Sequence, residues 1–322
     1  MAHSLKTWKI PTSGRAAKGV PLPQVLPISS EEDDEVAGII SVAADSFEDD
    51  DAFLCLVTKK GWIKKTPLKA FEKTSSRGLV AIGALEDGDR VSWVKTCDST
   101  DSIIVATKKG YATHFKTDRA NLRPTGRTSR GVKTMNLRDD DVIVDMDILK
   151  GLGAHAEAAE AEAGGAEEAG EADTDADGDE GLDGAAGNLP KVLIVTTNGY
   201  GKRSTVKDFT MRKRGGMGVI ATKFKDPATD ELACLRVVDD DDEIMISTSS
   251  GVMVRQRAGG IPSQGRLARG VVVQKLDAGS YINDVSIVPN QVVPEEGEGG
   301  SNGLNGGGAA ANNATAPVAV AA

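Results

Sequence analysis

The chain has 322 residues, 4 % of them aromatic and 37 of them Gly, with a formal net charge of -10. That composition favours short strands joined by turns over long helices, and no apolar run approaches the ~18 residues that span a bilayer. Three widely spaced cysteines (Cys55, Cys97, Cys234) with no CxxC pair argue against a disulfide framework or a zinc site and fit a reducing compartment.

The length suits one large or two ordinary domains. The start, MAHSLKTWKIP, has no apolar signal core and no cleavage site. The net charge misstates the electrostatics. Residues 151–188 carry twelve Asp/Glu and no Lys or Arg, and the tail from Asn290 adds three Glu and no base. The remaining body holds 38 basic residues against 33 acidic ones, a basic object with acidic appendages.

In chain order, the first landmark is AAKGVPLPQVLPI (16–28), with no hairpin before it. Then AFLCLVTKKGWIKKTPL (52–68) shows an apolar strand, a tight turn at Gly61 and an alternating strand, which predicts a β-hairpin. SSRGLVAI (75–82) and the acidic turn EDGDRVSWVKT follow it. The pattern recurs as SIIVATKKGYATHFK (102–116, turn at Gly110), TSRGVKTM (128–135) and RDDDVIVDMDI. It returns as KVLIVTTNGYGKRSTV (191–206, turn at Gly199) and GGMGVIAT (215–222). The last copy is EIMISTSSGVMVRQRA (243–258, turn at Gly251), LARGVVVQ (267–274) and DAGSYINDVSIV.

A repeat of about 50 residues with four strands cannot bury both faces alone, so its copies must pack on one another. The expected fold class is therefore all-β, a propeller-like array of about four complete blades plus one partial blade. Residues 1–150 hold the partial blade and two blades, and 189–289 hold two more. Segments 151–188 and 290–322 are Ala/Gly/acid sequences with too little apolar surface to offset ordering entropy, and are expected to lie outside the fold.

No enzyme signature emerges. NGYGKRS lacks the first Gly of a phosphate loop, has Arg203 where Ser or Thr belongs, and opens no helix. His3, His114 and His155 form no triad or metal cluster. Asp239–Asp242 is expected to be a solvated turn, and the shared slot of Tyr111 and Tyr200 points to packing. The cations are more informative. Lys59, Lys60, Lys64, Lys65, Lys108, Lys109, Lys202, Arg203, Arg255 and Arg257 recur at or after the hairpin turns. Arg77, Arg130, Arg214 and Arg269 recur before the second-landmark Gly, with Arg127 and Arg266 close by. Equivalent positions in a repeat share a face, so these charges predict a track for a polyanion, gripping phosphates without reading bases.

NGYGKRSTVKDF, RPTGRTSRGVKTMNLRDDDVI, VVDDDDEIMISTSSGVMVR and IPSQGRLARGVVVQKL together resemble the C-terminal domain of the DNA gyrase A protein, from about Leu5 to Val288 apart from the insert. The resemblance implies a β-pinwheel, a six-bladed propeller variant that exchanges strands between blades and wraps duplex DNA on its rim. It implies double-stranded DNA, the catalytic part of gyrase A and the ATPase gyrase B as partners in an A2B2 assembly, and ATP-driven negative supercoiling. It also implies that ATP and Mg act elsewhere in the holoenzyme, so this chain is expected to need no cofactor, metal or membrane and to catalyse nothing alone. The family's first blade and its Gln-Arg-Arg-Gly-Gly-Lys-Gly box are expected to lie outside this chain. RKRGGMG (212–218) is similar to that box but has Arg212 for the Gln and Met217 for the Lys. The rim contacts expected there are Lys202, Arg203, Arg212, Lys213 and Arg214, with Gly215, Gly216 and Gly218 allowing close approach. The acidic insert is similar to those of organellar gyrases in algae and plants. That implies a plastid or mitochondrion, with a bacterial cytoplasm as the other expectation. Two rival functions are the equivalent domain of topoisomerase IV and a propeller that only binds proteins, with salt-insensitive partners.

Overall fold

The computed structural model describes residues 1–14, 17–26, 36–74, 77–153, 190–288 and 316–321. The acidic segment expected outside the fold lies beyond these residues from position 154 onward, as does the tail over 289–315. In chain order the strands are β1 (Ala2–Ser4), β2 (Val36–Val42), β3 (Phe53–Thr58), β4 (Trp62–Pro67), β5 (Val91–Cys97), β6 (Ser102–Thr107), β7 (Tyr111–Lys116), β8 (Val132–Lys133) and β9 (Ile143–Leu149). They continue as β10 (Lys191–Thr196), β11 (Tyr200–Thr205), β12 (Val219–Ile220), β13 (Leu232–Val238), β14 (Glu243–Thr248), β15 (Met253–Arg257), β16 (Val271–Val272), β17 (Ile282–Val288) and β18 (Ala316–Ala321).

They form five sheets: β1-β18-β2, then β5-β3-β4-β8, β9-β6-β7-β12, β13-β10-β11-β16 and β17-β14-β15. The all-β expectation holds, and each predicted hairpin is present. Three sheets have four strands, and the fifth has three among the described residues. The end of the tail was expected to stay outside the fold, but it supplies β18 between β1 and β2. Its sequence, Ala-Pro-Val-Ala-Val-Ala, carries no charge, and it presents ladder groups to both neighbours.

The chain divides into two compact units. One comprises Met1–Thr96, Arg123–Lys133 and Ile287–Ala322; the other comprises Cys97–Leu122 and Thr134–Ser286. The first unit is built on the first and second sheets. Its core gathers Ala2, Val42, Leu54, Leu56, Leu68, Phe71, Ala81, Val91 and Val94. The second unit is built on the other three sheets, with a core that includes Ile104, Leu149, Val192, Ile194, Phe209 and Leu235. Every residue of β3 and β6 is buried, so these strands are covered on both faces and read as continuous apolar runs. Each fully buried Leu or Ile contributes about 1.5–3 kcal/mol of transfer free energy.

The four hairpin turns share one chemistry. The carbonyls of Thr58, Thr107, Thr196 and Thr248 each accept the backbone N–H of the Gly three residues on, at 3.0 Å in all four. Those glycines, Gly61, Gly110, Gly199 and Gly251, have φ of 83, 81, 83 and 84°, a region that costs other residues strain. The threonine hydroxyls then accept the amides of Trp62, Tyr111, Tyr200 and Val252 at 3.0–3.4 Å. The acidic landmarks also serve the turns. Asp89, Asp141 and Asp230 accept the amides of Lys60, Lys109 and Asn198 at 2.8, 3.0 and 3.0 Å. Asp230, in PATDEL, was not recognised as a landmark from the sequence.

Strands are exchanged between repeats. The Gly-Val landmark of one repeat pairs with the hairpin strand of the repeat before it. Val132 lies opposite Ile63, Val219 opposite Ala112, and Val271 opposite Gly201. Leu79 makes the same bridge to Ala2. The landmark glycines Gly78, Gly131, Gly218 and Gly270 all have positive φ. A Cβ on Gly131 would lie 2.2 Å from the Ile63 carbonyl oxygen, and one on Gly270 would lie 2.6 Å from that of Gly201. The landmark keeps a glycine because the chain crosses its acceptor too closely for any side chain. This fixes the register of the third copy. Gly218, not Gly215, takes the crossing position, so Met217 stands where Arg77, Arg130 and Arg269 stand, and Arg214 is not their counterpart.

Candidate nucleic-acid interface

Four of the expected contact residues are not at the surface. Lys64, Lys65, Lys202 and Arg203 are buried, with relative exposures of 1, 1, 0 and 6 %. The Lys64 ammonium donates to the carbonyls of Ala81 (3.0 Å), Gly126 (2.8 Å), Arg127 (2.8 Å) and Ser129 (3.1 Å). Lys202, its counterpart two repeats on, donates to Gly265 (2.8 Å) and to Arg266. Each lysine thus ties down the Gly-Arg loop that leads into the exchanged strand. Lys65 lies over the Phe53 ring at 4.2 Å, and Arg203 pairs with Asp240 while donating to Ile261 and Gly259. Ammonium and guanidinium groups enter a protein interior only when partnered, and here backbone carbonyls are the main partners.

Burial pulls Lys202 down to about 7, against the opposing charge of Asp208 and with the help of Arg266. It pulls Lys64 down to about 8, with Arg127 adding to the shift. The unfolded chain therefore binds more protons than the folded one between about pH 7 and the ordinary lysine pKa of about 10.4, so stability rises with pH across that window. Lys202→Met is expected to flatten the rise, measured by urea unfolding at pH 7, 8 and 9.

Other expected contacts are partly engaged. Lys60 donates to Asp87 O (2.5 Å), Lys108 pairs with Glu231 (2.8 Å), Lys109 donates to Asp139 O, and Arg255 pairs with Glu243. Arg130 donates to Ala84 O (3.0 Å) and pairs with Glu86 (3.2 Å). Lys109, Arg255, Arg257 and Arg269 are exposed, while Lys59, Arg127 and Arg266 are half-buried. Several cations, most of them not singled out by the sequence, cover the ring that follows each turn. Arg130 and Lys133 lie over Trp62 at 5.0 and 4.4 Å, Arg138 over Tyr111 at 3.4 Å, and Lys225 over Tyr200 at 5.5 Å. The available signal was the aromatic residue after the turn glycine in three of the four hairpins.

A cluster of three consecutive cations lies in the second unit. Arg212 and Lys213 are exposed, and Arg214 donates to Asn121 O at 2.6 Å. With Lys116, Asp118, Ala120, Asn121 and Met211 they line an open cavity of about 510 Å³. Asp118, its one acid, accepts the Asn121 backbone and side-chain amides at 2.7 and 2.9 Å. His114 anchors the base of the loop. Its ring bonds Phe209 O (2.8 Å) and Ser102 Oγ (2.9 Å), and its carbonyl accepts Arg212 N (2.9 Å). Burial lowers the His114 pKa, so the ring is neutral at pH 7, and Phe209 O requires the tautomer with hydrogen on Nδ1. Asn136 donates to Gly215 O (2.7 Å), and Arg138 to Met217 O (2.8 Å). Nothing lies within 4 Å of where a Cβ on Gly215 or Gly216 would sit, whereas a Cβ on Gly218 would meet Ala112 O at 2.8 Å. Gly218 thus serves the strand exchange and not a ligand. The result is a hydrogen-bonded loop with open glycines beside a cationic groove, a chemistry suited to phosphate oxygens.

A family model described as DNA gyrase C-terminal domain, beta-propeller, matches residues 4–43, 52–98, 101–150, 190–239 and 242–289. The DNA gyrase A protein of Synechocystis sp. is 40 % identical over 289 residues, covering 90 % of this chain and 32 % of that protein. The DNA gyrase A protein of Staphylococcus aureus is 28 % identical over 296 residues, covering 92 % of this chain and 28 % of that protein. The chain thus spans about a third of the length of these relatives. A solved DNA gyrase A C-terminal domain aligns over 74 % of this chain and 66 % of its own, at 27 % identity and a TM-score of 0.57. A topoisomerase IV C-terminal domain shares the fold over 84 % of this chain and 70 % of its own, at 22 % identity and a TM-score of 0.65.

Proposed function

The chain belongs to the family of DNA gyrase C-terminal β-propeller domains, and from that premise we propose that it is a duplex-DNA-binding and DNA-wrapping module of a type IIA topoisomerase. The observation that carries the reading is the groove of Lys116, Arg212, Lys213 and Arg214 beside the open Gly215-Gly216 backbone. Exposed cations at Lys109, Arg255, Arg257 and Arg269 extend the binding surface within the same unit. Such contacts neutralise phosphates and release counterions, which gives affinity without sequence readout. In the holoenzyme this module acts as part of gyrase A within an A2B2 assembly, where wrapping sets the handedness of ATP-driven strand passage.

The test is a salt titration of duplex binding by fluorescence anisotropy. The double variant Arg212→Gln/Lys213→Gln is expected to bind more weakly and to lower the slope of log K against log salt by about 1.8, at ~0.9 per lost phosphate contact. These two side chains are exposed, so folding is not at stake. An unchanged slope overturns the assignment of this loop, and salt-insensitive binding by the parent chain favours a protein-interaction platform instead.

A further inference from the structure

One slot recurs in three hairpins, four residues after the turn glycine. Its occupants, Lys65 on β4, His114 on β7 and Arg203 on β11, are all buried. Each accepts, through its carbonyl, the amide of the residue six places ahead of the glycine that crosses its strand: Thr125 (2.9 Å), Arg212 (2.9 Å) and Gln264 (2.7 Å). Two of the side chains also hold the incoming segment. Arg203 Nε donates to Ile261 O, and His114 Nδ1 donates to Phe209 O at 2.8 Å, across 95 positions of the chain. Of the three slots, only that of His114 receives a cation, Arg212, and only there is the occupant a side chain that changes charge near neutral pH. One residue therefore pins both ends of the span Phe209–Arg212, by its ring at one end and its carbonyl at the other. Ser102 Oγ, 2.9 Å from Nε2, engages the second ring nitrogen.

We propose that His114 is a positioning residue for DNA binding, setting the span Phe209–Arg212 so that Arg212 and Lys213 are presented to the duplex; the role rests on the function proposed above. A protonated ring keeps its bond to Phe209 O, but it loses the acceptor at Nε2 and places a charge in a buried site. The charged residues on the elements packed against it are of both signs. They are Lys116 on β7, Asp101 beside Ser102, Asp147 across β6 on β9, and Lys207, Asp208 and Arg212 on the docked segment. Burial is the largest cause of the lowered pKa of the ring, and the Phe209 bond opposes it. Release of the span returns the ring to water and to its ordinary pKa of about 6.5. Protons therefore favour the released span: docking is fully present above about pH 6.5 and is lost as the pH falls.

The test is a salt titration of duplex binding by the full chain at two pH values, about 7.5 and about 5, on either side of the ordinary histidine pKa. His114→Asn keeps an amide donor at the place of Nδ1 but takes up no proton. It is expected to match the parent at the higher pH and to keep its salt slope at the lower one. There the parent slope is expected to fall by up to about 1.8, two contacts at ~0.9 each. His3, His155 and Lys202 are common to both chains, so the difference reads His114 alone. His114→Leu loses both ring bonds with Arg212 and Lys213 still in place. It is expected to show the reduced slope at both pH values, and no further loss when combined with Arg212→Gln/Lys213→Gln. Slopes of the parent and of His114→Asn that change equally between the two pH values overturn the proposal, as does an additive loss in the combined variant. If Arg212→Gln/Lys213→Gln alone leaves the slope unchanged, the DNA assignment of the loop falls first, and the positioning role with it.

Discussion

Replacing Arg236 with Met is expected to cost about 3–5 kcal/mol, because it strands a buried carboxylate. Arg236 on β13 pairs with Asp145 on β9 and reaches Asp284 on β17 at 3.4 Å, and its Nε donates to Val285 O at 3.1 Å. One guanidinium therefore joins the third, fourth and fifth sheets. The Asp145 side chain is 2 % exposed and also accepts the Leu235 amide at 2.8 Å, while Asp147 accepts that of Val237 at 2.8 Å. Burial raises the Asp145 pKa even with Arg236 beside it, and the same partner holds the guanidinium protonated. Without the arginine the carboxyl is pushed further up. A folded-state carboxyl pKa above the unfolded value means that the folded chain binds more protons in that window, so stability falls as pH rises through it. The deficit of Arg236→Met is accordingly expected to be largest at pH 7 and to shrink toward pH 5. Thermal unfolding at both pH values measures this, and a melting temperature lowered by less than ~2 °C at pH 7 would falsify the staple role.

Gly131→Ala is expected to cost about 2–4 kcal/mol, through left-handed strain plus loss of the β8–β4 pairing. The φ of Gly131 is +98°, and its Cβ would sit 2.2 Å from Ile63 O and 2.8 Å from Ile63 C. Backbone atoms on a buried strand do not yield as the end of a flexible side chain does. Gly215→Ala is the matched control. It also has positive φ, +88°, but nothing lies within 4 Å of the added carbon, so only the strain of about 1 kcal/mol remains. Urea unfolding of both variants, with amide exchange over β4, separates the two contributions. Equal destabilisation would show that the close crossing carries no energy of its own.

Some features of this protein follow from residues adjacent in the chain. The four hairpins rest on a threonine, a turn and a glycine three residues later, so their chemistry is complete within one stretch of sequence. The repeat, the exchange landmarks and the basic loop at 212–218 are visible for the same reason. The fate of each cation is not. The stretch Trp62–Pro67 carries Lys64 and Lys65 on opposite faces of one strand, a pattern that on sequence terms belongs to a solvated edge. Both are buried because the loops of residues 81 and 126–129, one of them more than sixty positions away, bring carbonyl groups over Lys64, while Lys65 packs on Phe53. The sequence also places Asp145 and Arg236 ninety-one residues apart, with nothing local to join them. Thus local backbone chemistry determined the strands, the turns and the repeat. Only the packing of distant segments decided which charges hold the fold together and which face solvent, because burial and pairing depend on what arrives from elsewhere in the chain.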